Sequence, residues 1–363
     1  MTEEVYLQMR EVMAKRGMRI PDIPEFYEMC RVLFTLKEAE INNVMPSRLT
    51  APSIIAQEAG RSEKEVTAIL ETMADKGLCL SVVREGTRQY VGTPFEPGIF
   101  EYVFMRGTKT DRDREIARAI HNYRAAAEAL RSGPPIIKYP PTRVIPVDKV
   151  IKAETIIHTY DQVVAYIEKS EPIAVGTCYC RHQALLLDEN DDCGMPNEVC
   201  FTFFATAEYL SERGLSRKVT KEEAIDIMRQ AEEAGLMHAT GNSQRLDALC
   251  NCCGCHCARL KPILMQPKPA EVVPHGFEPS FNSGLCTLCA ICIDRCPANA
   301  LTLGDGDVPD RNVDRCIGCG ACASGCPEGA IILVERPGAS VPPADRYALR
   351  EEMIKSFIQG DSS

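Results

Sequence analysis

The last quarter of the chain carries one cysteine spacing twice. Cys286-x2-Cys289-x2-Cys292-x3-Cys296-Pro297 recurs as Cys316-x2-Cys319-x2-Cys322-x3-Cys326-Pro327, and the flanks echo as Pro297-Ala-Asn-Ala300-Leu301 and Pro327-Glu-Gly-Ala330-Ile331. Thiolate is a soft ligand suited to iron–sulfur clusters and to zinc. A cubane needs four thiolates on its four irons, and gaps of two residues let three successive cysteines curl around one of its faces. Ala290, Gly318, Gly320 and Ala321 are small enough for the backbone to follow closely, with N–H groups directed at sulfur. The proline then turns the chain away. Four-cysteine zinc sites instead pair Cys-x2-Cys with a distant second pair. The duplicated run therefore reads as two [4Fe–4S] sites.

Nine further cysteines lie upstream: Cys178, Cys180, Cys193, Cys200, Cys250, Cys252, Cys253, Cys255 and Cys257. The last five fall within eight residues. Thiolates at that density repel one another unless a cation or cluster binds them. All nine are candidate ligands, for one or two additional Fe–S clusters or for zinc, with a redox disulfide as the other alternative. The adjacent duplicated run favours an iron–sulfur centre, since electrons delivered there need an acceptor nearby. His182 and His238 are candidate ligands or proton donors, weighed against an ordinary hydrogen-bonded role. Arg181 either offsets cluster charge or pairs with an acid such as Asp188. Cys30 and Cys79, which precede all of these, read as small buried apolar residues.

Over about residues 280–335 the duplicated run resembles the bacterial-type two-cluster ferredoxins, in which the fourth cysteine of each run serves the other cluster. That resemblance implies one cluster on Cys286, Cys289, Cys292 and Cys326, and a second on Cys316, Cys319, Cys322 and Cys296. It also implies a two-fold pseudo-symmetric fold and a low-potential electron donor or acceptor. Seven acids against three arginines in this stretch agree with it. The middle region is similar to a set of large ferredoxin-type proteins of anaerobic prokaryotes, through Cys178 to Arg181, Gly235-Leu-Met-His238, Asn242 and Cys250 to Cys255. A cysteine stands in that pattern where this chain has His256, so His256 is either a substitute ligand or no ligand. The resemblance implies cluster binding and no particular reaction.

Upstream, residues 1–110 resemble in pattern the winged helix-turn-helix domains of prokaryotic regulators. Thr50 to Gly60 reads as a short helix with proline in its first turn. A second helix opens at Ser62-Glu-Lys-Glu65, a capping-box sequence, with Val66, Ile69, Leu70 and Met73 at helical spacing. A hairpin over Leu78–Val91 would be the wing. The second helix would read DNA, yet it presents Glu63, Glu65, Glu71 and Asp75 against Lys64 and Lys76. Residues 1–110 hold 14 Lys+Arg and 16 Asp+Glu, whereas phosphate recognition needs concentrated positive charge. Docking or dimerisation is the better expectation, and nucleic acid is disfavoured.

A helical stretch from Thr110 to Arg131 and the run Pro134–Pro141 make residues 111–145 a helix and linker. Capping boxes at Thr159 and Thr220, and a short strand Ile173–Gly176, fall in a cysteine-rich middle domain, 146–270. A ferredoxin domain follows at 275–335, and 336–363 form a tail with a helix. The loop Thr302–Pro309 between the two runs reads as a turn between strands rather than a calcium or phosphate loop. The expected class is a multi-domain α+β protein.

The chain of 363 residues has a formal charge of −10 and no apolar run long enough to span a membrane. Its N-terminus lacks a basic-then-apolar leader. No Gly-x-Gly-x-x-Gly run occurs, which argues against a dinucleotide domain. The expectation is a cytoplasmic electron-transfer protein that meets a redox partner protein. The alternatives are an oxidoreductase with the middle centre as its reactive site, and a redox-responsive DNA-binding regulator. Sequence leaves the oligomeric state open.

Overall fold

The computed structural model describes residues 2–16, 20–130, 139–147 and 162–360. The fold is mixed α/β and multi-domain. It forms two compact units, one of residues 1–133, 174–192 and 205–218, the other of 134–173, 193–204 and 219–363. The linker expected at Pro134–Pro141 lies outside the described residues up to position 138, as does the cap expected at Thr159. No described helix is long and apolar enough to cross a membrane.

The first unit is built on helices Pro24–Leu33, Leu36–Val44, Pro52–Ala59 and Glu63–Asp75, followed by the hairpin strands Cys79–Arg84 and Thr87–Gly92. The Ser62 hydroxyl caps the fourth of these by accepting from Glu65 N–H at 3.3 Å, and Val66, Leu70, Met73 and Ala74 face the core. The strands pair from Cys79 opposite Gly92 to Arg84 opposite Thr87. That register leaves a two-residue turn, Glu85-Gly86, with φ of 50° and 74°. Both values are positive, as the tightest hairpin turn requires. The helix Asp111–Ala129 starts on a complete capping box between Thr110 and Asp113. Cys30 and Cys79 are fully buried, and burial raises both thiols far above their ordinary range.

The segment 205–213 of this unit covers one end of the helix Glu63–Asp75. Tyr209 Oη donates to the Ala74 carbonyl at 2.9 Å. Arg213 reaches Glu71 at 2.8 Å and Asp75 at 2.9 Å. Arg88 from the hairpin pairs with Glu212.

In the second unit four antiparallel strands lie in the order Thr142–Ile145, Met237–Gly241, Ala248–Cys252, Glu198–Phe203. Side chains alternate across a sheet, and here the alternation sorts chemistry. Met237, Ala239 and Cys252 join one buried cluster, with Cys250 packed against it. His238 and Asn251 point the other way and bond to each other at 2.7 Å. The helix Lys221–Glu233, capped by the Thr220 hydroxyl, supplies Glu232 to that polar face.

The C-terminal stretch repeats itself in space. Phe277–Phe281 pairs with Ile331–Glu335, and Leu301–Thr302 with Asp310–Arg311, so Leu303–Pro309 is a turn between strands. Asn282 N–H donates to Ala330 O at 2.8 Å, and Asn312 N–H to Ala300 O at 2.8 Å. Each half is thus tied to the end of the other. Two short helices, Ile291–Asp294 and Ala321–Ser324, carry the third cysteine of their runs, Cys292 and Cys322.

Candidate metal centres

The crossed backbone bonds decide which cysteines meet. Cys286, Cys289, Cys292 and Cys326 line one cavity, walled by Leu288, Pro309 and Pro327. Burial raises the Cys292 thiol, and Cys289, Cys286 and Cys326 add to the effect. Cys319 is pushed up to about 12, mainly by burial, with Cys296 and Cys316 next among the charges it feels. The Cys322 thiol rises for the same first reason, then through Cys319, Cys296 and Cys316. The fourth cysteine of each run therefore stands with the first three of the other.

Backbone donors already face these sulfurs. Ala300 N–H donates to Cys296 Sγ at 3.2 Å, and Ala330 N–H to Cys326 Sγ at 3.3 Å. Such bonds set the positive end of a backbone dipole against each sulfur. Leu288 and Ala290 in the first run, and Gly318 and Gly320 in the second, all have φ between 54° and 81°. This left-handed backbone curls each loop. At Gly318 a Cβ would also collide with the carbonyl oxygen of Phe277 and with His275, so glycine is required there. Leu288, at the rim of the cavity, is 41% exposed. Four thiols gathered in each half, with N–H groups donated to sulfur, are a donor set that fits a cubane, and in the second half the Arg311 side chain also reaches the Cys316 thiol.

The two halves differ in depth. Cys289 is exposed, and Leu285 and Ile291 beside it are also exposed. Cys319 instead belongs to a buried cluster that includes Cys252 and Cys257, with Cys250, Cys296 and Cys316 packed against it. Two arginines fasten the repeat to the rest of its unit. Arg295 donates to Glu232 O, Glu233 O and Ala321 O at 2.9, 3.0 and 3.0 Å. Arg315 donates to Leu264 O, Gln266 O and Ala298 O at 2.9, 3.0 and 2.6 Å. Sequence reading missed both arginines, and it missed Asn282 and Asn312, although each asparagine stands four residues before its run and so extends the internal echo.

The nine upstream cysteines fall into smaller sets. Cys193, Cys253, Cys255 and His256 bring one sulfur or nitrogen atom each to within 4.8 Å of one another. Among the described residues this is the one group of three or more Cys, His, Asp or Glu ligand atoms gathered so tightly. Cys250, Cys252 and Cys257 form another set: Cys257 Sγ lies 3.4 Å from Cys252 Sγ. The Cys252 thiol is raised by hydrogen bonds with Cys250 and Cys257, then by burial. Cys178 and Cys180, in the first unit, are hydrogen-bonded to each other, which together with burial raises Cys178. Cys200 is buried in the strand Glu198–Phe203.

Neither weighed histidine belongs to the tight group at Cys193. His238 engages Asn251 through Nδ1 and Glu232 through Nε2, at 2.7 and 3.2 Å, and is fully buried. His182 donates Nε2–H to Thr108 O at 2.8 Å, and burial lowers its pKa. The histidine that joins cysteines is His256.

Residues 285–331 match the 4Fe–4S dicluster domain family. No curated protein and no solved structure matches the chain. The match takes in all eight cysteines of the duplicated run, so the C-terminal part is a 4Fe–4S ferredoxin-like domain.

Proposed function

We propose that this protein is an iron–sulfur electron carrier with one end of its path at the surface and the other in its own core. Cys286, Cys289, Cys292 and Cys326 hold the outer [4Fe–4S] cluster, and Cys316, Cys319, Cys322 and Cys296 hold the inner one. When bound, such clusters supply one-electron transfer at potentials tuned by burial and by hydrogen bonds to sulfur. The observation that carries the reading is the shared core of Cys319, Cys252 and Cys257. It sets the inner thiols against the cysteine-rich middle region, while Cys289 faces solvent.

The chain's own residues then have distinct tasks. Ala300 and Ala330 N–H groups stabilise thiolate charge. Ile317, Ala298 and Ala321 exclude water from the inner side, and that lowers the local dielectric. Leu285, Leu288 and Ile291 offer an apolar rim on which a redox partner protein can seat next to Cys289. The middle region carries a further metal centre drawn from its nine cysteines.

The N-terminal elements are read as a winged-helix-like module used for docking. Glu71 and Asp75, which would face DNA on a reading helix, are engaged by Arg213. That pairing favours a protein-contact role over nucleic acid.

Anaerobic iron and acid-labile sulfide content, with the spectrum of the dithionite-reduced protein, tests the proposal. About eight irons per chain with two interacting cubane signals is the expected minimum, and about twelve would place a third cubane in the middle region. Colourless, iron-free protein from oxygen-free preparation would end the reading.

A further inference from the structure

The group at Cys193, Cys253, Cys255 and His256 has a size, and the size says how many metal atoms it holds. Four ligands on one tetrahedral ion stand at the ends of short edges. With metal–sulfur bonds of about 2.3 Å and metal–nitrogen bonds of about 2.0 Å, those edges are roughly 3.5–3.8 Å. Four cysteines on a cubane stand farther apart, roughly 6 Å, because each is bonded to a different iron. Here every ligand atom lies within 4.8 Å of every other, and Cys253 Sγ is 3.8 Å from His256 Nδ1. That matches one ion and is too small for a cubane.

The local chain explains the compactness. Cys253, Cys255 and His256 supply three donors from four residues, in the turn after the strand Ala248–Cys252. His256 N–H donates to Cys253 Sγ at 3.4 Å, the kind of bond that closes such a turn on a metal thiolate. Gly254 lies against Pro297 and Leu264, so the turn rests on packed chain. Cys193 arrives from about 60 residues earlier and closes a long loop, which a metal clip stabilises through chain entropy.

The donor set points to the element. Three thiolates and an imidazole in a closed tetrahedron form a zinc site of the structural kind. We propose that Cys193, Cys253, Cys255 and His256 bind a single zinc ion that fastens the segment at Cys193 to the Cys253–His256 turn. This rests on the reading that the middle region holds a metal centre, and it separates this centre from the thiols of Cys250, Cys252 and Cys257 that pack against the inner half.

The test is elemental analysis of the full chain, purified without oxygen, alongside C193S, H256A and H256C. One zinc per chain is expected in the parent and in H256C, and less than a tenth of that in C193S and H256A. Iron content and the visible chromophore should stay unchanged in all four. Replacement of zinc by Co2+ should give the intense visible bands of a tetrahedral sulfur-rich site, lost in C193S. A variant that loses all its iron has unfolded, and the cobalt spectra of the parent and H256C then decide.

Several results would overturn the proposal. A parent without zinc whose C193S variant loses about four irons would make these residues cubane ligands, with the further metal centre retained. A parent without zinc whose iron ignores C193S would remove the further centre at this position. Zinc retained in both C193S and H256A would place the ion elsewhere. Iron-free protein with zinc still lost in C193S would instead refute the electron-carrier reading and leave this site standing.

Discussion

The duplicated run and the turn at Cys253–His256 use the same donor atom and hold it at different separations. In the run, cysteines with two residues between them lie along a curled loop, and the set is completed by a cysteine from the other half. The result is a cavity wide enough to line with four thiols. In the turn, three donors crowd into four residues and the whole group fits within 4.8 Å. The lesson is that the local path of the backbone, more than the number of cysteines, sets how many metal atoms a thiol group can surround.

A second contrast lies inside the run, between an outer half and an inner half. The largest expected effect tests their crossing. C296S and C319S should each remove about four of eight irons and alter the same cubane signal, and C326S should pair in this way with C289S. Electron paramagnetic resonance of the reduced variants reads the pairing. If C296S instead matched C289S, each run would be keeping its own fourth cysteine, and the crossed arrangement would be wrong.

Next in size is the comparison of positions 288 and 318, two residues after the first cysteine of each run. G318A must place a Cβ against the Phe277 carbonyl at a φ of 62°, a crowding and strain cost of roughly 1–3 kcal/mol. L288A trims an exposed side chain already in left-handed backbone and should stay within about 0.5 kcal/mol. Thermal denaturation under anaerobic conditions, with iron release followed at the same time, should show early loss only in G318A. Equal effects at the two positions would mean the inner half is no more tightly built than the outer.

How much of this was readable beforehand divides along the same line. The eight cysteines, the hairpin over residues 79–92 and the helix that follows Ser62 depend on short-range patterns, and short-range patterns are visible in a string. The tethers were not. Arg295 and Arg315 meet backbone carbonyls 26 to 63 and 17 to 51 residues away, and a carbonyl carries no sequence signal. Arg213 reaches back 142 residues to Glu71, so acids that looked like an open helix face are in fact engaged. His256 was singled out only as a departure from a cysteine pattern. Its partner Cys193 stands across two strands, two helices and a hairpin, and nothing local links the two.

A smaller effect concerns the asparagines that open each half. The Asn312 side chain accepts from Asp314 N–H at 3.0 Å, and Asn282 does the same for Gly284 N–H at 3.0 Å. N312A or N282A should each cost about 1 kcal/mol, the usual net value of one hydrogen bond. The crossed main-chain bonds from the same residues remain. Denaturant midpoints should therefore fall by similar amounts in the two variants, which would show that the pseudo-symmetry is energetic as well as geometric.

The smallest expected effect is a pH dependence confined to the inner half, where His275 lies against Gly318. Its Nδ1–H donates to Val273 O at 2.9 Å, and Nε2 accepts from Arg336 at 2.9 Å. The contact with Arg336 needs the neutral ring, since a proton on Nε2 would face a guanidinium, whereas the bond to Val273 O survives protonation. Burial lowers the pKa of His275 below its ordinary 6.5, and Arg336 pushes in the same direction. The sign follows from linkage. Above pH 6.5 the histidine is neutral folded or unfolded, and the full stability is present. As the pH falls below 6.5 the unfolded chain takes up a proton that the folded chain resists, so stability declines until the folded pKa is passed. Comparing the parent with H275N between pH 7.5 and about 5.5, by denaturant midpoint and by the rate of iron release, isolates this one group. The parent should lose more stability over that interval than H275N. Identical pH profiles would mean that the ring beside Gly318 is too well hydrated to resist its proton, and that the inner half owes its tightness to packing alone.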